Sequence, residues 1–145
     1  MNLQNKDDVR NYLQQYGLLV SRKKALQNAI DFYRAQSTRS TSVMRERVQS
    51  SPQDDAMAKQ LLHAMACEDK LEQVKQDVQH ALTERLRLIE SLPDERYKTL
   101  LTWRYITLAE FPRIAYEMHY SLQSLYNLHA IALQSALEVT KKEAC

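Results

Sequence analysis

Residues Leu92–Leu137 read LPDERYKTLLTWRYITLAEFPRIAYEMHYSLQSLYNLHAIALQSAL, short apolar-periodic segments separated by polar breaks. The residue before Pro93 is biased away from helical geometry, and proline then starts a helix well. The spacing predicts one helix over Asp94–Tyr105, a second over Phe111–Met118 and a third from Leu122 to about Lys141. Ile114 and Ala115 form the inward pair of the middle helix, and Met118-His119-Tyr120 a tight turn. Ser121 is a good N-cap, because its hydroxyl accepts from an otherwise unpaired backbone N–H. Leu125, Leu128, Ala132 and Leu133 then face the core, an arrangement with the grammar of a helix-turn-helix.

The residues left outside at the start of the last helix are Leu122, Gln123, Ser124, Tyr126 and Asn127. Gln and Asn each carry a donor and an acceptor, matching the paired groups on adenine in the major groove. Gln123 and Asn127, four apart, share a helical face. Arg113 suits a phosphate contact, as do Lys141 and Lys142 at the far end. The candidate contacts to double-stranded DNA are therefore Arg113, Ser121, Gln123, Ser124, Asn127, Lys141 and Lys142. Aromatic residues at helical spacing are more often core than contact, so Tyr120, Tyr126 and His129 are expected in the core or at its rim.

Upstream, apolar residues recur at helical spacing from Lys6 to Ala35, through Val9, Leu13, Tyr16, Leu26 and Ile30. Gly17 interrupts this first helix and marks a possible kink. Gln36–Gln53 abandons the period and is rich in Ser and Thr, which predicts a linker made basic by Arg34, Arg39, Arg45 and Arg47. A second helix follows Pro52 and runs to about Ser91. Its positions Met57, Leu61, Leu62, Met65, Leu71, Val74, Val78, Leu82, Leu86 and Ile89 approximate a heptad seam. Such long helices gain support by folding back as an antiparallel hairpin, with a second chain as a further support.

One glycine and three prolines in 145 residues leave few positions for tight β-turns, so the fold class is all-α. The expected organisation is a long coiled-coil-like hairpin at 1–92, serving dimerisation or partner binding, and a DNA-binding domain at 93–145. Charge is uneven. Residues 1–52 carry nine Lys/Arg against four Asp/Glu, residues 53–92 five against eight, and residues 93–145 six of each. The net charge is +2, and Ser121–Val139 contains no Lys or Arg.

No apolar run approaches the roughly 20 residues needed to span a bilayer. Cys67 and Cys145 suggest no disulfide framework, and no apolar leader is evident, so a cytoplasmic protein of a bacterial host cell is expected. His63 and Cys67 lie four apart, but no second pair completes a zinc site, and neither metal nor cofactor is expected. There is no glycine-rich phosphate loop, nucleophile elbow or evident carboxylate dyad, so the chain is read as a non-enzyme.

The order of these elements resembles the ArpU/RinA-type family of phage late-gene transcriptional regulators, whose C-terminal part is similar to the promoter-recognising region of sigma factors. The resemblance runs through VQSSPQDD at Val48–Asp55 and LIESLPDERYKTLLTWRYI at Leu88–Ile106. It is carried by the Leu92-Pro93 break, Arg104-Tyr105, Phe111–Ala115, Tyr120-Ser121, and Leu125-Tyr126 through His129 to Ala132-Leu133. Leu108 and Glu110 stand where such families carry a glycine and a capping Ser or Thr, and Pro112 falls in the first turn. The resemblance implies a transcriptional regulator of phage or prophage genes, acting as a homodimer with RNA polymerase as a partner. The alternative is a helical protein-protein adaptor or a small terminase-like packaging component.

Overall fold

The computed structural model describes residues 2–44 and 51–143, with side chains at 2–38 and 55–143. The regular elements of the described chain are all helical, as its composition requires: α1 (Lys6–Met44), α2 (Ser51–Glu90), α3 (Glu95–Leu101), a π-helical turn (Thr102–Ile106), α4 (Phe111–Met118) and α5 (Leu122–Glu143). No described helix is long and apolar enough to cross a membrane.

Two long-helix expectations change. α1 continues past Gln36 to Met44, so the first part of the expected linker is helix. Within it the Thr38 hydroxyl donates to the Arg34 carbonyl at 3.0 Å, satisfying inside the helix a group that otherwise draws chain into turns. Arg45 and Arg47 lie outside the described residues, as does the side chain of Arg39. The second change is at Gly17, where the helix runs unbroken. A Cβ there would meet Leu108 Cδ2 at 3.1 Å, so the glycine makes room for a neighbour rather than a kink.

The chain divides into two compact units. One unit is Met1–Leu18 with Val78–Cys145, the other Leu19–Asp77. In the second unit, Leu26 and Ile30 of α1 bury against Leu71 of α2, with Cys67 and Val74 packed beside them. Arg34 pairs with Glu68, and the Tyr33 and His63 rings stack at 5.2 Å, so the two helices run antiparallel there. Leu61, Leu62 and Met65 face outward instead of joining the seam. The buried positions of α2 are Ala64, Leu71, Ala81, Arg85, Leu88 and Ile89, a heptad-like stripe in which small residues and one arginine replace the expected large apolar ones.

Arg85 is 4% exposed, in the first unit. Its guanidinium lies 3.9 Å from the Tyr12 ring centre and donates to the Tyr12 carbonyl at 3.0 and 3.1 Å and to Gln15 Oε1 at 3.1 Å. A charge is tolerated at such a position only when its donors are met, and these partners fix the antiparallel register of α1 and α2 at this level.

The rest of the first unit is built on two apolar clusters either side of α3. Val9 and Leu13 of α1, Ile89 of α2, Leu92, Leu101 and Tyr105 pack against Ala132, Leu133, Ala136 and Leu137 of α5. Leu100, Ala109, Ile114, Ala115, Leu125 and Leu128 form the second cluster. The break at Ser91–Asp94 interrupts the helix but not the core, because Leu92 itself is buried in the first cluster. Asp94 caps α3, accepting from the Arg96 N–H at 2.8 Å.

A candidate DNA-reading helix-turn-helix

The expected helix over Asp94–Tyr105 ends in a widened turn, with Thr107 N–H bonded to the Thr102 carbonyl at 3.1 Å and Ala109 N–H to the Trp103 carbonyl at 2.9 Å. The exit passes through Leu108 at φ 62°, a left-handed position that is costly for a branched side chain. Where a glycine is common, Leu108 thus holds the glycine-like conformation itself, beside the space left by Gly17.

α4 starts from Glu110 without a side-chain cap, and Pro112 occupies its first turn, where no intrahelical donor is needed. It ends at His119, φ 60° and ψ 40°, with the Tyr120 N–H returning to the Ala115 carbonyl at 2.9 Å. This left-handed C-cap reverses the chain in one residue. Ser121 then caps α5: its Oγ accepts the Ser124 N–H at 3.1 Å and donates to Ser124 Oγ at 2.8 Å. Ile114 and Ala115 pack on Leu125 and Leu128, which sets the two helices against one another.

The outward residues at the start of α5 include Leu122, Gln123, Ser124, Tyr126 and Asn127. Gln123 Nε2 and Asn127 Oδ1 stand 3.5 Å apart on one exposed face. Ser121 and Ser124 stand beside them, committed mainly to the cap. Arg113, exposed on α4, lies over Trp103 with its guanidinium 5.6 Å from the ring centre. Lys141 and Lys142 are exposed in the last turn of α5, about 27 Å along the helix from Gln123 at 1.5 Å per residue. They are not brought to the end of α5 that carries Gln123 and Asn127.

His129 is core. It is 7% exposed, hydrogen-bonded through Nε2 to the Tyr105 hydroxyl at 2.8 Å, and met edge-on by Phe111 at 5.1 Å. Tyr126 packs its ring on Phe111 at 5.1 Å and stays 45% exposed, a rim residue. Burial, reinforced by the nearby Arg10 and Arg104 charges, pushes the His129 imidazole down to about 4. Above pH 6.5 the ring is neutral in folded and unfolded chains alike, whereas between 6.5 and about 4 only the unfolded chain takes up the proton. Stability is therefore expected to fall by about 3 kcal/mol as pH drops through that window, read by denaturant unfolding at pH 7.5 and 4.5. His129→Asn should remove this portion of the acid loss. Asp94, held below the usual carboxylate range by Arg96, adds its own loss as pH falls toward and through that range.

Two surface residues went unnoticed in the sequence. Tyr116 is 80% exposed on α4, on the side opposite Ile114 and Ala115, and helical spacing past that inward pair would have marked it. Arg96 is brought beside the Tyr120 hydroxyl, at the entrance to α5, by the packing of α3, and no sequence signal joins those two positions. Among the described residues no three His, Cys, Asp or Glu side chains gather as a metal site: His63 stacks on Tyr33, and the free thiol of Cys67 is half-buried against the Leu26–Leu71 cluster.

Residues 34–138 match the family model described as "Protein of unknown function (DUF1492)". The chain belongs to the DUF1492 family. The DUF1492 match takes in α2, α3, the π turn, α4 and α5 as far as Glu138, so the whole helix-turn-helix lies inside it. No curated protein and no solved structure matches the chain.

Proposed function

We propose that the chain is a sequence-specific DNA-binding transcriptional regulator, with α4 as the supporting helix and α5 as the recognition helix. The observation that carries the reading is the tight His119–Ser121 reversal that leaves Gln123 and Asn127 side by side and exposed at the start of a packed helix. Two amides at that position are equipped to read adenine edges, and Arg113 to hold a neighbouring phosphate. The resemblance to ArpU/RinA-type regulators supports phage or prophage genes as the target, in the cytoplasm of a bacterial host.

A homodimer fits this reading, with the outward Leu61, Leu62 and Met65 of α2 as the surface for a second copy and RNA polymerase as a further anchor. Both compensate for the lack of Lys or Arg in Ser121–Val139, because phosphate attraction supplies most nonspecific affinity. The same neutrality, with Leu122 and Ile131 exposed on α5, favours the second reading, a helical adaptor or small terminase-like component that docks protein on this face. Selective binding of the full chain to duplex DNA over a salt series separates the two.

A further inference from the structure

The neutral recognition helix raises the question of which cation meets the phosphates beside it. On α3 and the π turn, Lys98 is tied to Glu95 at 3.0 Å with its side chain only 20% exposed. Arg104 donates to the Ala109 carbonyl at 3.2 Å and covers the Phe111 ring at 4.5 Å. Arg96 differs from both. Its side chain is 57% exposed, and its chain neighbour Tyr97 packs with Tyr120 on the Leu100–Leu125 cluster, which sets Arg96 near the turn that delivers Gln123 and Asn127.

We propose that Arg96 is a DNA-phosphate contact at the entrance to the recognition helix, and that Asp94 holds its guanidinium in place until phosphate displaces the carboxylate. The assignment rests on the DNA-binding reading above. Asp94 meets Arg96 through both oxygens, Oδ2 to Nη2 at 2.9 Å and Oδ1 to Nε at 3.3 Å, the forked geometry in which arginine also takes a phosphate. Its Oδ1 also accepts the Arg96 N–H, so the carboxylate is anchored by the cap of α3 and the arginine is held against it. Tyr120, next to the cap residue Ser121, packs with Tyr97 on the cluster that holds Leu125 of α5, so α3 and the start of α5 share one core beside Arg96. An exchange of one anion for another at a solvent-exposed arginine moves no helix, which suits a contact made on arrival at DNA. It also separates roles: Gln123 and Asn127 discriminate sequence, whereas Arg96 strengthens binding to any duplex.

The test is fluorescence anisotropy of the full chain on a selected duplex and its scrambled counterpart, from low to moderate salt. Arg96→Gln is expected to weaken both complexes by a similar factor, roughly 3- to 10-fold, and to reduce the salt slope by about one. Arg96→Lys should restore the slope. Asp94→Asn keeps a capping side chain and frees the guanidinium, so binding should tighten by roughly 2- to 5-fold, the range of an exposed ion pair. In the Arg96→Gln background that gain should vanish. Selective binding with an unchanged salt slope in Arg96→Gln overturns the Arg96 assignment alone. An undiminished Asp94→Asn gain in that background overturns the exchange between carboxylate and phosphate. Absence of selective binding by the wild-type chain overturns the DNA reading itself and this contact with it. Circular dichroism melts of each variant, expected to match wild type, exclude unfolding as the cause.

Discussion

Residues 93–145 expressed alone are expected to show no cooperative thermal transition, although they contain every helix of the helix-turn-helix. The reason is the composition of the larger apolar cluster. Val9, Leu13, Ile89 and Leu92 are all at most 3% exposed and pack with Leu101, Tyr105 and the inner face of α5. Removing them uncovers part of the α5 face that carries Ala132, Leu133, Ala136 and Leu137, and leaves Leu101 and Tyr105 as its buried cover. At about 1.5–3 kcal/mol for each buried aliphatic side chain, four such losses total about 6–12 kcal/mol, the size of a whole domain's stability. Far-ultraviolet circular dichroism of the fragment and of the full chain checks this. A sharp transition in the fragment near the full-chain Tm would contradict the two-cluster account of the first unit.

The second large effect belongs to the proposed reading surface. Gln123→Ala with Asn127→Ala is expected to abolish discrimination between a selected and a scrambled duplex, a loss of about 2–6 kcal/mol in specificity, or roughly 30-fold to 20,000-fold. Neither residue is charged, so the salt slope should stay as in wild type, the reverse of the Arg96 variant. Both side chains are exposed and alanine favours helix, so Tm should not fall. Anisotropy on the two duplexes together with a melt reads all three quantities. Discrimination retained in this double variant would remove α5 as the reader.

The helix-turn-helix was largely legible in the sequence because its signals are local. Proline in the first turn of α4, the inward Ile114-Ala115 pair and a serine cap before the apolar stripe each act within a few residues, and α4 and α5 begin where these place them. Signals that depend on distant partners were not legible. The buried stripe of α2 runs through Ala64, Ala81 and Arg85, the last held by the Tyr12 carbonyl and Gln15 of α1, whereas hydrophobicity alone pointed to Leu61, Leu62 and Met65. Pro93 marks a break in the backbone, and the core runs past it through Leu92. The π turn was hidden because Leu101 and Tyr105 keep helical spacing through it.

Of the candidate site, Gln123, Ser124 and Asn127 lie together with the Ser121 cap, as helical periodicity required. Lys141 and Lys142 were placed by charge alone and stand at the other end of the same helix. The His129–Tyr105 bond joins positions 24 residues apart, beyond the reach of any periodicity.

The most direct test of the central claim is anisotropy of the wild-type full chain on duplexes from its own genomic neighbourhood, against scrambled duplexes of equal composition, across a salt series. Tighter binding to one native duplex, with affinity falling linearly in log–log form as salt rises, is the predicted result. Equal affinity for native and scrambled duplexes at every salt concentration would contradict it and turn the exposed face of α5 into a protein-docking surface.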